Sequence, residues 1–259
     1  MFTLFKASLK FYKIIPMKKL FSLLFTALTL STSINAIAKE QINISSSKYS
    51  DDDREVSNFN GIASAGPINV VVTLGSKESC RLEGDAEAIA SIITEVKGNV
   101  LIIRPQNSVT SWSRKYEGKK ITAYVSAREL ASLTMSGSGS MVVNGKISIT
   151  DLTTTLSGSG SIKATADVDH YNGVISGSGS LNITGNADRA KVVISSSGAF
   201  EGKSLSVNDL TTTISGSGTV NIKADQSIRA VISGSGSVNY SGNATVDKTI
   251  IGSGRVRKI

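Results

Sequence analysis

Apolar and polar residues alternate through the second half of the chain. Between residues 151 and 168, every second position is apolar or threonine on either side of the tetrapeptide SGSG at 157–160. These positions are Leu152, Thr154, Leu156, Ile162, Ala164, Ala166 and Val168. A period of two predicts strands that bury one face. The same alternation surrounds SGSG at 215–218, so the tetrapeptide joins strands at more than one place.

The tetrapeptide recurs at a nearly constant spacing. It occurs at 136–139, 157–160, 176–179, 215–218 and 233–236, with the variants SSSG at 195–198 and IGSG at 251–254. Equivalent positions are 18 to 21 residues apart, and the segment DLTTT that precedes one copy at 151–155 returns at 209–213. A repeat of this length predicts the stacked coils of a solenoid, whereas a flexible linker needs no ordered apolar positions around it.

We therefore predict an all-β fold, a right-handed parallel β-helix with coils of about 18–21 residues that turn at SGSG. Glycine permits positive φ at such a corner and leaves room for the next coil, which stacks at about 4.8 Å. The variant SSSG at 195–198 should mark a locally distorted corner. A phosphate-binding glycine loop is excluded, because a strand and not a helix follows each copy.

The first 38 residues are typical of a secretory signal peptide. Two lysines precede an apolar run from Leu20 to Leu30, and Ala-Ile-Ala at 36–38 fits a cleavage site. Met17 is a second candidate for the initiator. The apolar run is too short to span a bilayer, so we expect no membrane span after cleavage. The chain is then exported through the Sec route and is periplasmic, associated with the outer surface, or secreted.

Residues 39–55 are polar and charged without an apolar period, which predicts a mobile arm. Asp51, Asp52 and Asp53 within it are interpreted as a solvated charge run rather than a cation site. The remaining chain, 56–259, is predicted to be one β-solenoid domain with an irregular N-terminal part at 56–132 and SGSG coils at 133–259.

The irregular part carries strand patterns of its own. We predict two strands in 59–75 with a turn at Gly66 and Pro67, and further strands at 80–84, 100–105 and 121–127. Asp85 caps a predicted short helix that runs through Ile89, Ile92, Ile93 and Val96. A long polar loop at 106–120 contains Trp112 and Tyr116. Two interpretations of this loop remain: it is a recognition element, or Trp112 packs over the solenoid.

Charge and cysteine content narrow the function classes. The net charge is +8, but five lysines lie in the first 38 residues, which leaves 23 basic against 20 acidic residues from Lys39 onward. The basic residues are scattered, so nucleic-acid binding is not expected.

Cys80 is the only cysteine, so no intramolecular disulfide forms, and a small apolar strand residue is the favoured role. Arg255, Arg257 and Lys258 are interpreted as a charged end cap that blocks end-to-end pairing.

An ordered set of motifs resembles a known family. Phe59-Asn60-Gly61-Ile62 is followed by GPINVVVTLG, then RLEGDAEAI, then a Gly-x-Leu-Ile-Ile-like strand, then the recurring SGSG coils. In this order they resemble the auto-transporter adhesin, head-GIN domain family, from about Val56 to the C-terminus. The resemblance implies a β-helix similar to pectin-lyase-like folds but without their catalytic residues, and a role in adhesion. It supplies no functional residues.

No residue is assigned as catalytic, cofactor-binding or metal-binding. His170 is the only histidine, and no Gly-x-Ser-x-Gly motif occurs. The side chains that would have to converge in an enzyme are Asp167, Asp188, Arg189 and His170, and Lys191 and Arg229 are the further basic candidates. The favoured hypothesis is a non-catalytic adhesin or envelope scaffold that binds a glycan or a surface protein, with Thr153, Thr155, Thr211 and Thr213 as ladders of hydroxyls. The alternative is a polysaccharide-active lyase or hydrolase; the sequence leaves the ligand and the oligomeric state open.

Overall fold

The structure is a computed structural model that describes residues 49–259. The predicted signal peptide at 1–38 and the first part of the predicted arm, 39–48, lie outside these residues. The N-terminal part contains β1 (Tyr49–Arg54), β2 (Gly61–Ala65), β3 (Ile68–Leu74), β4 (Ser79–Asp85), α1 (Ala86–Ala90), β5 (Ile92–Lys97), β6 (Val100–Pro105), α2 (Val109–Lys115) and β7 (Ile121–Ala127). The coils contain β8 (Ser132–Gly137), β9 (Ser140–Gly158), β10 (Ser161–Gly177), β11 (Ser180–Ser196), β12 (Ala199–Gly216), β13 (Thr219–Gly234), β14 (Ser237–Ser241), β15 (Thr245–Ile251) and β16 (Arg255–Lys258).

The coils stack in parallel, as the repeat predicts. Strand β10 pairs with β9 and β11, β11 pairs with β12, and β12 pairs with β13, all in parallel. Register partners are one repeat apart, for example Ile162 with Leu181 and Leu181 with Phe200. The predicted β-solenoid is confirmed, with about 7 turns spaced by about 19 residues.

The core is built from columns of equivalent inward-facing side chains. Ile162, Leu181, Phe200 and Val220 occupy one such column and are fully buried. In each of the strands β9 to β13 the alternation also breaks just before the buried residue at 152, 171, 190, 210 or 228, where two or three successive residues are outside the core, as at Asp169–His170 and Asp188–Arg189. Each break is a second corner, which re-aims the next strand so that its apolar residues again face inward.

The SGSG corners behave as predicted. Gly158 and Gly234 have φ of 119° and 122°, and a Cβ on either would lie 2.6 or 2.5 Å from a glycine carbonyl oxygen of the preceding coil. Only glycine fits this position without a shift of the stack. Ser196 takes the position in the SSSG variant and has φ of 153°. Pairing of β10 with β11 ends at Ile175–Ile194, whereas β12–β13 continues to Gly216–Gly234, so the corner is distorted on the side of β10, while its pairing with β12 extends to Ser196–Gly216.

The N-terminal part closes one end of the solenoid with antiparallel strands. Strand β4 pairs antiparallel with β7, β1 pairs antiparallel with β4, and β5 pairs antiparallel with β6. The predicted mobile arm is therefore wrong for 49–54. Its charged side chains have no apolar period, but the backbone hydrogen bonds to β4 do not require one.

The predicted helix is shorter than expected. Asp85 does cap it, because its side chain accepts a hydrogen bond from the backbone N–H of Ala88 at 3.2 Å. The helix ends at Ala90, and the residues from Ile92 to Lys97 form β5 instead. β-branched residues at 92–94 and antiparallel pairing with β6 favour the strand. The other predicted strands of this part are confirmed as β2, β3, β4, β6 and β7.

The C-terminal end of the solenoid is closed differently. In the last coil, Lys248 and Lys258 lie in register with Ala230 and Tyr240, at positions that earlier coils fill with core residues. Charged residues at inward positions of an edge strand discourage further pairing. On the outer side, Arg257 donates to Asn239 Oδ1 at 3.4 Å, and Asn239 Nδ2 donates to Asn221 Oδ1 at 2.9 Å.

Candidate ligand-binding groove

Two columns of outward-facing polar residues follow the second corner of each coil. The first column contains Asp151, His170, Arg189, Asp209, Ser227 and Thr245. The second column contains Thr153, Asn172, Lys191, Thr211, Arg229 and Asp247. Each column crosses six successive coils, and five steps of about 4.8 Å give a length of roughly 24 Å along the solenoid axis. We call the surface formed by these two columns the corner groove.

The corner groove contains two concavities that meet. One, of about 450 Å³, is lined by residues from Asp151 to Asp209 of the first column and by Asn172, Lys191 and Thr211 of the second. The other, of about 250 Å³, is lined by Thr211 together with Ser227, Arg229, Thr245 and Asp247. Because Thr211 lines both, the polar surface is continuous along the columns.

The floor of the larger concavity is formed by buried, closely packed residues. Tyr171 and Ala190 line it but are buried, with 1% and 3% of their surface exposed. The Tyr171 hydroxyl lies 2.6 Å from Thr154 Oγ1, and its ring packs 5.7 Å from that of Phe200. Burial raises the pKa of Tyr171. The hydroxyl is therefore neutral and structural, and the outward side chains of the columns supply the chemistry of the groove.

The charges along the groove are unevenly neutralised. Arg229 Nε lies 3.7 Å from Asp247 Oδ2, so these two form an ion pair in adjacent coils. The Oδ1 atom of Asp209 accepts a hydrogen bond from Ser227 Oγ at 2.5 Å. Arg189 and Lys191 have no ion-pair partner among residues 49–259. The larger concavity therefore holds two cations with no carboxylate bound to them.

The side chains considered for an enzyme are divided between two surfaces. His170, Arg189 and Lys191 come together in the corner groove. Asp167 and Asp188 instead line a separate concavity of about 270 Å³ with Asp169. Asp167 pairs with Lys146 at 2.8 Å, and Asp188 accepts a hydrogen bond from Asn208 at 3.4 Å. The set named from sequence therefore does not converge.

Sequence reasoning missed two of the three acidic residues of the groove. Asp151 and Asp209 open the two copies of DLTTT, and that repetition was the available signal. The predicted ladders of threonine hydroxyls are wrong. Asn172 and Lys191 lie between Thr153 and Thr211, and two valines, Val174 and Val193, lie between Thr155 and Thr213. The paired threonines are therefore three coils apart, too far to hydrogen-bond to one another.

The aromatic residues of the 106–120 segment pack inside the N-terminal part. Trp112 lies on α2 and is 3% exposed, and Tyr116 is 7% exposed. Trp112 Nε1 donates to Ser91 Oγ at 2.6 Å, and the two rings are 5.1 Å apart. This geometry supports the packing interpretation and leaves the aromatic rings no surface with which to recognise a ligand.

Other sequence candidates also have structural partners. Cys80 is buried, and burial raises the pKa of its thiol to about 12, so it is not a reactive thiolate. Asp51 and Asp52 lie on β1, where they pair with Arg81 at 3.5 Å and Arg54 at 2.9 Å. Within the described part of the chain, no cluster of three or more His, Cys, Asp or Glu side chains could hold a metal ion. Nor does any helix between 49 and 259 have the length and hydropathy needed to cross a membrane.

The motifs that suggested a family can now be compared with known proteins. The family model described as "Putative auto-transporter adhesin, head GIN domain" matches residues 58–244. The chain belongs to this family. The match to the head-GIN domain includes most of the N-terminal part and the coils as far as β14. The comparison with curated proteins gives no match.

Solved structures of similar fold come from Bacteroides and Parabacteroides species. A putative adhesin from Bacteroides fragilis superposes with a TM-score of 0.72 at 23% identity, covering 82% of this chain and 97% of that one. A putative lipid binding protein from Parabacteroides distasonis has a TM-score of 0.65 at 20% identity, with 82% and 96% coverage. A putative adhesin from Parabacteroides merdae has a TM-score of 0.61 at 20% identity, with the same coverage. These likenesses show that the head-GIN domain here shares their fold.

Proposed function

We propose that this chain is an exported, non-catalytic binding protein of the cell envelope or cell surface, and that it binds an extended glycan along the corner groove. The observation that carries the proposal is the continuous polar surface from Asp151 to Asp247, which runs along the solenoid axis over roughly 24 Å. Membership of an adhesin family and the signal-like segment at 17–38 support export and surface binding.

The chemistry of the groove suits a sugar polymer. Each coil presents a carboxylate, amide, hydroxyl, imidazole or guanidinium group at the same height, and these groups donate to and accept from hydroxyls. A polymer of repeating hydroxylated units that lies along the axis would meet new partners at each step of about 4.8 Å. The strands beneath are fixed by register on both sides, so little ordering cost arises on binding.

An enzyme is the second candidate, because His170 and Arg189 are register neighbours in the groove. The carboxylates argue against a hydrolase there. Asp151 and Asp209 are separated by three coils, roughly 14 Å at the Cα atoms. Paired catalytic carboxylates of glycosidases are about 5–10 Å apart. Binding without turnover is therefore the better account of this surface.

The experiment presents the purified full-length chain to immobilised neutral and acidic polysaccharides and scores both retention and release of new sugar ends. Phosphatidylglycerol vesicles are included because one structural neighbour is named a putative lipid binding protein. We expect retention on at least one polysaccharide and no product.

Thr211→Trp should weaken retention, because Thr211 lies where the two concavities meet. Lys203→Trp adds the same bulk at an exposed position outside the groove and is the matched control. Product formation would favour the enzyme. Binding to vesicles alone would contradict the glycan proposal, as would equal effects of the two tryptophan variants.

A further inference from the structure

The two unpaired cations of the corner groove lie side by side. Arg189 and Lys191 are on the same strand, two residues apart, and both line the concavity of about 450 Å³. Two residues along a strand is roughly 6.6 Å between Cα atoms, with both side chains on the same face. This spacing allows both cationic groups to reach one anion.

In the described part of the chain, no carboxylate of the neighbouring coils forms an ion pair with these two cations, although Asp151 and Asp209 line the same concavity. Asp209 is the register partner of Arg189, but its carboxylate is turned to the following coil, where it accepts the hydrogen bond from Ser227. Lys191 lies between Asn172 and Thr211 in its own column, and neither carries a charge. Arg189 and Lys191 are therefore the two cations of this concavity whose charged groups no carboxylate of residues 49–259 contacts.

The next cation along the groove, Arg229, already has a carboxylate partner. Arg229 lies two coils beyond Lys191 in the same column, at roughly 10 Å. Its guanidinium is already shared with Asp247. An anion there would have to compete with a carboxylate, so Arg229 offers a weaker contact than Arg189 and Lys191 do.

We infer that the corner groove binds an acidic polysaccharide, whose carboxylate or sulfate group is held by Arg189 and Lys191 and whose following acidic unit reaches Arg229. The inference rests on the proposed function. The guanidinium donates two parallel hydrogen bonds to a carboxylate or sulfate, and the ammonium adds a charge-assisted bond. Asn172 and Thr211, one coil to either side, are placed to hydrogen-bond to the hydroxyls of the same polymer.

The test uses pairs of polymers that differ in charge alone. Polygalacturonate is compared with its methyl ester, and dextran sulfate with dextran, in binding assays on the full-length chain at moderate salt. We expect each acidic polymer to bind at least tenfold more tightly than its neutral partner. The double variant R189Q/K191Q should weaken acidic binding at least tenfold, and R229Q should weaken it about two- to threefold.

The control variant K163Q/K203Q removes the same charge from two exposed lysines outside the groove and should change affinity less than twofold. R189K/K191R keeps both charges and should restore most of the binding, which separates charge from folding defects. Equal loss in both glutamine double variants would overturn the inference, because binding would then follow net charge. Equal affinity for an acidic polymer and its neutral partner would overturn it while leaving the proposed function intact; absence of binding to any polysaccharide would contradict both.

Discussion

The N-terminal part, 49–131, and the coils, 132–259, solve the same folding problem by different means. The N-terminal part uses antiparallel pairs, two short helices and specific ion pairs such as Arg128–Glu78 at 2.9 Å and Lys119–Asp85 at 2.8 Å. The coils repeat one set of columns, in which each residue packs on its equivalents above and below. Stability in the first region depends on individual contacts, whereas in the second it depends on neighbouring coils.

The ends of the solenoid show the same contrast. Strands β1, β4 and β5 cover the first coils with added structure. The last coil has no such cover, and Lys248 and Lys258 occupy inward positions at its open edge. The largest effect should come from the double variant K248V/K258V, which removes this protection and should cause concentration-dependent association. Light scattering across a concentration series measures it, with K163V/K203V as a control away from the edge. Unchanged mass would refute the protective role of these lysines.

Removing a large core side chain should reveal how far disturbance travels in each region. Phe200 is fully buried between Leu181 and Val220, so Phe200→Ala should cost about 4 kcal/mol and raise amide hydrogen exchange in β11, β12 and β13. Trp112→Ala should cost about 3 kcal/mol and raise exchange within 86–116. If Trp112→Ala opened the coils to the same extent, the two regions would not be independent units.

Gly→Ala at two positions with positive φ separates the cost of close stacking between coils from the cost of backbone strain in an open turn. In Gly177→Ala the new Cβ would strike the backbone of Gly158, so we expect a loss of about 3 kcal/mol in the free energy of unfolding. Gly98 has φ of 63° with no atom within 4 Å of an added Cβ, so Gly98→Ala should lose about 1 kcal/mol. Urea unfolding of both variants gives the comparison. Equal losses would mean that close stacking adds nothing to backbone strain.

A substitution at the SSSG corner should raise the stability of the protein, whereas the preceding substitutions lower it. Ser196 holds a positive φ in a column otherwise filled by glycine, so Ser196→Gly should relieve backbone strain. Part of that gain is offset by the larger entropy of glycine in the unfolded chain, leaving a net stabilisation of about 1 kcal/mol. The thermal midpoint should rise. A lower midpoint would show that the serine side chain compensates its own strain.

The smallest expected effect is a loss of stability of the N-terminal part at low pH. The backbone N–H of Asn58, at 2.6 Å, with help from Arg128, lowers the pKa of Glu78. A hydrogen bond from Lys119 likewise lowers the pKa of Asp85. Because the folded state holds these carboxylates ionised, their contribution is present above the unfolded pKa of about 4 and is lost as the pH falls through the lower folded values.

In Glu78→Gln the loss of unfolding free energy between pH 5 and the folded pKa should be smaller than in the native chain. The dependence of that free energy on pH near neutrality should not change. Hydrogen exchange at low pH, followed in β2 and β4, measures the effect. A variant with the same acid dependence as the native chain would show that Glu78 does not contribute to it.

The sequence was enough to predict the parts of the fold that depend on local periodicity. The corners and inward columns followed from alternation around SGSG, because both are properties of one coil. Strand β1 was not predicted, because its polar segment has no apolar alternation that would indicate a strand paired with β4. The charges of the groove were not predicted either. The alignment itself was available, because His170 and Arg189 each lie six residues before the first serine of their SGSG or SSSG corner. What the sequence did not show is that these columns face outward and line one concavity.

Because equivalent residues fall in the same column, the length of this protein can be counted in coils. The two copies of DLTTT lie three coils apart, so the internal duplication lengthened the molecule by roughly 14 Å without a new kind of corner. Deleting 157–214 would join one SGSG corner to its duplicate and shorten the molecule by the same amount. The length of such a solenoid can therefore evolve in whole-coil increments, independently of the structures that close its two ends.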